Sequence, residues 1–215
     1  MSLNISLKYI LLILSSLLFI LISISGMLFP LIKFDFIYQY NLSIYPIEER
    51  TSLPLDEIKN TNNKIKNYFF SDEEFLDVEI FNNKEVVHMK DVKEIINNIF
   101  LFGKISCIAF VLLASFIIYK YKIYLHSIFK YSTIIFIVII FLFSILTLVS
   151  FNKIFIIFHE VAFKNDLWLL NINEDYLLMM YPESFFRDVA ILLLISSLFI
   201  NFMMFYITNT LSKKL

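Results

Sequence analysis

The sequence is short of nearly everything a soluble catalytic domain uses. Only 17% of its 215 residues are charged, glycine occurs twice, and Cys107 is the sole cysteine. Soluble domains carry about 25% charge, and a chain this small must cover a large surface with polar groups. A soluble enzyme, a disordered chain and a nucleic-acid binder are therefore disfavoured. A single cysteine excludes an intrachain disulfide framework and a multi-cysteine metal site. There is no Gly-rich phosphate loop, no His-Glu-x-x-His and no serine nucleophile elbow. What is abundant is apolar: 59% of the residues are hydrophobic and mean hydropathy is +0.76. This composition is that of a membrane protein.

A bilayer core of ~30 Å needs about 20 mainly apolar helical residues. Four stretches reach that length: 9–30, 100–119, 131–149 and 189–207. The first is too long for the ~7–15-residue core of a signal peptide and lacks a small-residue cleavage pattern after it, so it reads as a retained span. The expected organisation is one integral membrane domain, 1–215, with polar segments at 31–99 and 150–188. Charge gives the orientation. The N-terminus (Lys8), the short connection (Lys120, Lys122, Lys130) and the C-terminus (Lys213, Lys214) hold six positive charges and no acids. Segment 31–99 holds 8 positive and 13 negative charges, and segment 150–188 holds 3 and 6. Lysines near span ends stay cytoplasmic, so both termini are expected inside and both long segments outside. Lys104, one turn into the second span, is expected to snorkel, and Cys107 to pack against a neighbouring helix.

Residues 55–70 carry apolar side chains at Leu55, Ile58, Ile65 and Phe69, a helical pattern. Ser71 to Glu74 has capping-box spacing and also suits a turn. Residues 75–81 alternate loosely and predict a short strand, with Asn82-Asn83 as a turn into 85–87. From His88 a helix is expected to run into the second span, with His88 and Asp91 on one face. The expected fold is thus an all-α membrane protein of four transmembrane helices with a small extracytoplasmic α/β cap formed by the two outer segments. In the second outer segment Phe151, Phe155, Phe158, His159, Ala162 and Phe163 recur at helical spacing. Asn165 or Asp166 can end one helix or cap the next. Trp168, the only tryptophan, is a natural interfacial anchor. Pro182 should turn the chain after an apolar stretch expected to lie against the bilayer surface.

Three histidines are present. His126 lies among lysines of the short connection and reads as solvated surface. His88 and His159 fall on the outer side. On an aromatic helix His159 is either a packed core residue or a site residue, and packing is the commoner case. Neutral imidazoles suit proton transfer near pH 7: one could remove a proton while the other donates to an oxyanion or leaving group. Asp91, Asn165 and Asp166 could orient them. Two histidines about 70 residues apart, without local ligand spacing, are a weak metal signal. Acid–base chemistry without a covalent nucleophile of the protein's own fits best.

At these residues the sequence resembles the lipoprotein intramolecular transacylases of Gram-positive bacteria. The matching pieces are Lys84-Glu85-Val86-Val87-His88-Met89-Lys90-Asp91-Val92-Lys93, then Phe158-His159 through Phe163, Asn165-Asp166-Leu167-Trp168. Asp175 and Tyr181-Pro182-Glu183-Ser184-Phe185-Phe186-Arg187-Asp188 complete the set. The four-span layout and loop lengths match as well; a departure is Leu170-Asn171-Ile172-Asn173, where an Asp-Pro turn is expected. The resemblance implies an acyltransferase of the bacterial cell membrane. Its substrate is the diacylated N-terminus of a lipoprotein, and the sn-2 acyl chain moves from glycerol oxygen to the free cysteine α-amine, giving the lyso form. The amine is the nucleophile, so no serine or cysteine, cofactor or metal is implied, and no nucleic acid is a partner. By the same resemblance His159 is the general base and His88 assists, a pair of roles that could be reversed. Asp91, Asn165 and Asp166 hold the rings or the substrate amine. Trp168, Phe185 and Phe186 shape the acyl surface. Two rival readings are a metal-dependent membrane acyltransferase or hydrolase and a non-catalytic four-span protein that binds a partner through its acidic segments.

Overall fold

The computed structural model describes residues 2–214 and contains eight helices among them: α1 (Ser2–Lys33), α2 (Phe36–Ile44), α3 (Ile47–Thr51), α4 (Leu55–Tyr68), α5 (Asn83–Tyr121), α6 (Leu125–Ala162), α7 (Tyr176–Met180) and α8 (Glu183–Ser212). Four of these, α1, α5, α6 and α8, are long and apolar enough to cross a membrane. At 1.5 Å per residue a 39-residue helix such as α5 is about 58 Å long, nearly twice a bilayer core. Long helices therefore continue well past their apolar runs, and those continuations carry both histidines of interest. The chain forms two compact units, and each long helix contributes to both: a membrane unit (Met1–Leu28, Ile99–Leu146, Leu192–Leu215) and a polar unit (Phe29–Asn98, Thr147–Ile191).

The membrane unit is held together by aromatic packing and by polar contacts. Phe19 meets Phe110 and Phe129, with ring centroids 5.4 and 4.6 Å apart. Fully buried Asn201 donates from Nδ2 to Ser23 Oγ at 2.7 Å and to the Ser197 carbonyl at 2.8 Å, and its Oδ1 accepts from the Ser132 hydroxyl. Small residues and satisfied polar side chains are what lets helices associate where lipid supplies no hydrophobic drive. Cys107 differs from expectation: it is exposed. The close approach to α1 is instead made by Gly103, whose absent Cβ would fall 2.1 Å from Ser25 Oγ.

The polar unit is helical as well, and no strand occurs among the described residues. The expected α/β cap is therefore corrected to an all-helical one. Residues 71–82 form turns and bends, and the alternating stretch 75–81 finds no partner strand to complete a ladder. The Ser71 hydroxyl accepts from the Glu73 amide at 3.3 Å, a local turn with no helix after it. Asn82 opens α5 rather than a hairpin: its Oδ1 accepts the Glu85 amide at 3.1 Å while Glu85 Oε2 accepts the Asn82 amide at 2.8 Å. That reciprocal pair is a capping box. Helix α4 buries Ile58, Ile65 and Tyr68 as its periodicity requires.

Two breaks shape the second half of the unit. Ser150 in α6 has extended backbone (φ −171°, ψ 103°), and its hydroxyl caps the next turn through the Lys153 amide at 3.4 Å. Residues 151–162 thus form a separately started helical arm. Past α7, whose Met180 is fully buried and whose carbonyl at Met180 accepts from Asn41 at 2.7 Å, Pro182 leads straight into α8. Ser184 to Asp188 are accordingly the first turns of that helix.

Candidate active site

His88 projects from the second turn of α5 and His159 from the last turn of the arm after Ser150. Both rings are buried, at 6% and 8% exposure, and their centroids lie 6.2 Å apart. Phe163 packs against both, 5.0 Å from His88 and 5.4 Å from His159. The rest of the His159 surround is aromatic: Phe155 at 4.2 Å, Trp168 at 5.1 Å and Phe158 at 5.3 Å. Phe186 reaches this wall through Phe155 at 5.6 Å and stacks on Phe185 at 5.5 Å.

The two imidazoles differ in their hydrogen bonding. The Nδ1–H of His159 donates to the Phe155 carbonyl, one turn back, at 2.6 Å. That bond fixes the tautomer and leaves Nε2 with its lone pair available. Nδ1 of His88 is buried without a partner. Burial disfavours the cation in both rings. It lowers His88 to about 4, aided by the neighbouring His159 and opposed by Asp91. It lowers His159 against the opposing effect of its bond to Phe155. Both rings are neutral at pH 7.

Asp91, Asn165 and Asp166 do not orient the rings as expected; among the described residues none of them is hydrogen-bonded to either imidazole. Asp91 Oδ2 instead accepts from Asn165 Nδ2 at 2.8 Å, and Asn165 Oδ1 accepts the Leu167 amide at 3.0 Å. This ties α5 to the loop that carries Trp168. Asp166 is exposed in that loop. Lys84 adds a second tie, donating to the Leu169 carbonyl.

A buried carboxylate network completes the support and has no counterpart in the sequence reading of site residues. Glu85, 1% exposed, uses Oε1 to accept the Leu177 amide at 2.6 Å. Buried Asp175 accepts from Asn82 Nδ2 and from the Asn171 amide, both at 2.7 Å. The far end of the Trp168 loop is thereby anchored one turn from His88. Burial holds the Glu85 carboxyl above its ordinary value. The signal was the Asn82-x-x-Glu85 spacing, a helix-start pattern. Among the described residues no three His, Cys, Asp or Glu side chains converge as a metal's ligand set would require.

Four helices long and apolar enough to cross a membrane, with a close pair of buried imidazoles at the continuations of two of them, define an integral membrane protein. The sequence family described as the lipoprotein intramolecular transacylase Lit matches residues 10–186. The chain is similar to the in meso structure of the membrane integral lipoprotein intramolecular transacylase from Bacillus cereus, with TM-score 0.82, 20% identity and 97% of each chain covered. Two structures of that protein with a histidine replaced, by arginine in one and by alanine in the other, are similar at TM-score 0.82 and 19% identity. They cover 99% of this chain and 95% and 97% of theirs. No curated protein sequence matches the chain. The chain belongs to the lipoprotein intramolecular transacylase family and is a membrane acyltransferase.

Proposed function

We propose that the protein moves the sn-2 acyl chain of a diacylglyceryl-cysteine lipoprotein onto the free α-amine of that cysteine. The single observation that carries the mechanism is the His159–Phe155 bond, which leaves Nε2 of a neutral imidazole as a base. The amine nitrogen attacks the ester carbonyl carbon as its proton passes to His159 Nε2. His88 stabilises the oxyanion or relays the proton taken by His159 to the glycerol oxygen as the C–O bond breaks and the amide forms, which leaves both rings neutral again. The product is an isomer of the substrate, so no co-reactant enters. Counting atoms from nitrogen through sulfur to the acyl carbon gives a cyclic intermediate of ~8 atoms, whose closure depends on holding both ends in place.

Asp91 and Asn165 serve this site by holding the Trp168 loop, which their mutual bond supports. Trp168, Phe185 and Phe186 form the apolar wall for acyl chains, and Asp166, exposed nearby, meets the substrate amine. The apolar runs support spans at 9–30, 100–119, 131–149 and 189–207 within one integral membrane domain, and the distribution of lysines supports their orientation. It also supports both termini in the cytoplasm and the site on the extracytoplasmic face of the bacterial cell membrane. The test is fragmentation mass spectrometry of a lipoprotein N-terminal peptide from cells with and without this chain. Appearance of an isobaric N-acyl, lyso-glyceryl cysteine is the expected result. An unchanged diacylglyceryl form, with the protein inserted, refutes the reading.

A further inference from the structure

The acidic side chains are all confined to one unit. The polar unit carries 19 acidic and 11 basic residues, whereas the membrane unit carries seven lysines and no carboxylate. The ion pairs among the described residues, Lys66–Asp35, Lys90–Glu74 and Arg187–Asp188, all belong to the polar unit. The lysines of the membrane unit therefore have no carboxylate within their own unit to neutralise them.

One of them stands in a groove. Where α5 turns into α6, a cavity of ≈ 550 Å³ is lined by Ser115, Ile118, Tyr119, Lys122, Ile123 and Tyr124. Lys122 Nζ lies 5.5 Å from the Tyr119 ring centroid, and Tyr119 and Tyr124 are 80% and 68% exposed. Lys122 also holds a left-handed backbone, φ 53°, closing the last turn through its amide to the Ile118 carbonyl at 3.1 Å. Glycine or asparagine takes that position at lower cost. Apolar wall, two exposed tyrosines and an unpaired ammonium at the end of an apolar run match the depth profile of a phospholipid.

We propose that this groove binds one anionic phospholipid of the bilayer, its phosphate paired with Lys122 and its acyl chain laid along Ile118 and Ile123. The site is independent of the acyl-transfer chemistry. The test uses full-length protein in nanodiscs of phosphatidylcholine with or without phosphatidylglycerol, followed by native mass spectrometry of retained lipid. Wild type retains phosphatidylglycerol in preference to phosphatidylcholine. Lys122→Gln lowers that retention about tenfold or more, since a direct hydrogen bond to a charged group contributes roughly that factor. Lys213→Gln leaves it unchanged. Equal retention of both lipids, equal retention by Lys122→Gln, or an equal fall in Lys213→Gln overturns the proposal, the last by showing diffuse attraction. Displacement of the lipid by inorganic phosphate also overturns it, as a bare anion site. Unchanged thermal melting of Lys122→Gln in phosphatidylcholine shows that the variant is folded.

Discussion

Glu85 accepts the backbone amide of Leu177, 92 residues later in the chain, at 2.6 Å. With its other oxygen on the Asn82 amide, this one buried carboxylate starts α5 and fixes the segment leading out of the Trp168 loop. Glu85→Ala leaves two amides without acceptors at a buried site, a loss of roughly 1–3 kcal/mol for each buried group. Glu85→Gln keeps one acceptor oxygen and loses less. Acyl transfer is expected to fall in both variants, with kcat recovering in Glu85→Gln relative to Glu85→Ala. Melting temperatures together with single-turnover rates check this. Equal activity in wild type and Glu85→Ala would remove the network from any positioning role.

The histidine pair predicts a specific pH dependence. A histidine with a depressed folded-state pKa binds its proton more readily in the unfolded chain. Stability is therefore full above the ordinary imidazole value of 6.5 and is lost as pH falls toward about 4, where His88 takes its proton in the folded state. The loss from His88 alone is up to about 3 kcal/mol over that window. Thermal unfolding of the wild type should worsen from pH 7 to pH 5, and His88→Asn should flatten that trend. The acid limb of the rate profile should correspondingly lie below pH 6.5.

Trp168 provides a direct probe of the same chemistry. It is the only tryptophan in the chain and its ring lies 5.1 Å from that of His159. An imidazolium quenches indole emission far more than neutral imidazole does. Acidification should quench intrinsic fluorescence with a midpoint below 6.5, following the direction of the His159 shift. The step should vanish in His159→Gln and persist in His126→Gln. A midpoint at or above 6.5 would contradict the buried setting of the ring.

How much of this could be read from the chain alone follows from which signals are local. Hydropathy runs are local and strong, so the four long apolar helices were legible, and α4 followed from the spacing of Ile58 and Ile65. Proximity of His88 and His159 is a tertiary fact, 71 positions apart; their shared side of the membrane suggested a working pair, but no local signal placed the rings together. The strand expected at 75–81 failed because alternation says nothing of a partner strand. Asn82-x-x-Glu85 has the spacing of a helix start, but the adjacent Asn82-Asn83 pair reads as a turn, so the helix was expected from His88 and in fact begins at Asn83. Asp91 and Asn165 were named for a shared site, but their bond to each other, rather than to the rings, depends on how the loop after Ala162 folds back.

That bond gives a further test. Asp91 and Asn165 are joined at 2.8 Å at an exposed position, where a hydrogen bond contributes little to global stability, ~1 kcal/mol or less. Its effect should instead appear in the placement of Trp168. Asp91→Ala and Asn165→Ala are each expected to slow acyl transfer several-fold with near-normal melting. The double variant should be no slower than either single one, because one interaction has been removed in all three. Additive losses would show that each residue acts separately, through the substrate or through the rings.

Gly103 tests the packing of the membrane unit apart from any chemistry. A Cβ at this position would fall 2.1 Å from Ser25 Oγ and 2.5 Å from Ser25 Cβ, with the Ser25 Cα at 4.0 Å. Rotating the serine hydroxyl away does not relieve the second contact, so Gly103→Ala forces the two helices apart. Overpacking of this kind costs about 1–3 kcal/mol, partly offset because alanine favours the helix over glycine by about 1 kcal/mol. The arithmetic of atoms dictates the rescue. Ser25→Ala keeps the Cβ and should not restore the melting temperature of Gly103→Ala, whereas Ser25→Gly removes it and should. Rescue by Ser25→Ala as complete as by Ser25→Gly would mean that the helices do not meet at this point as closely as the structure has them.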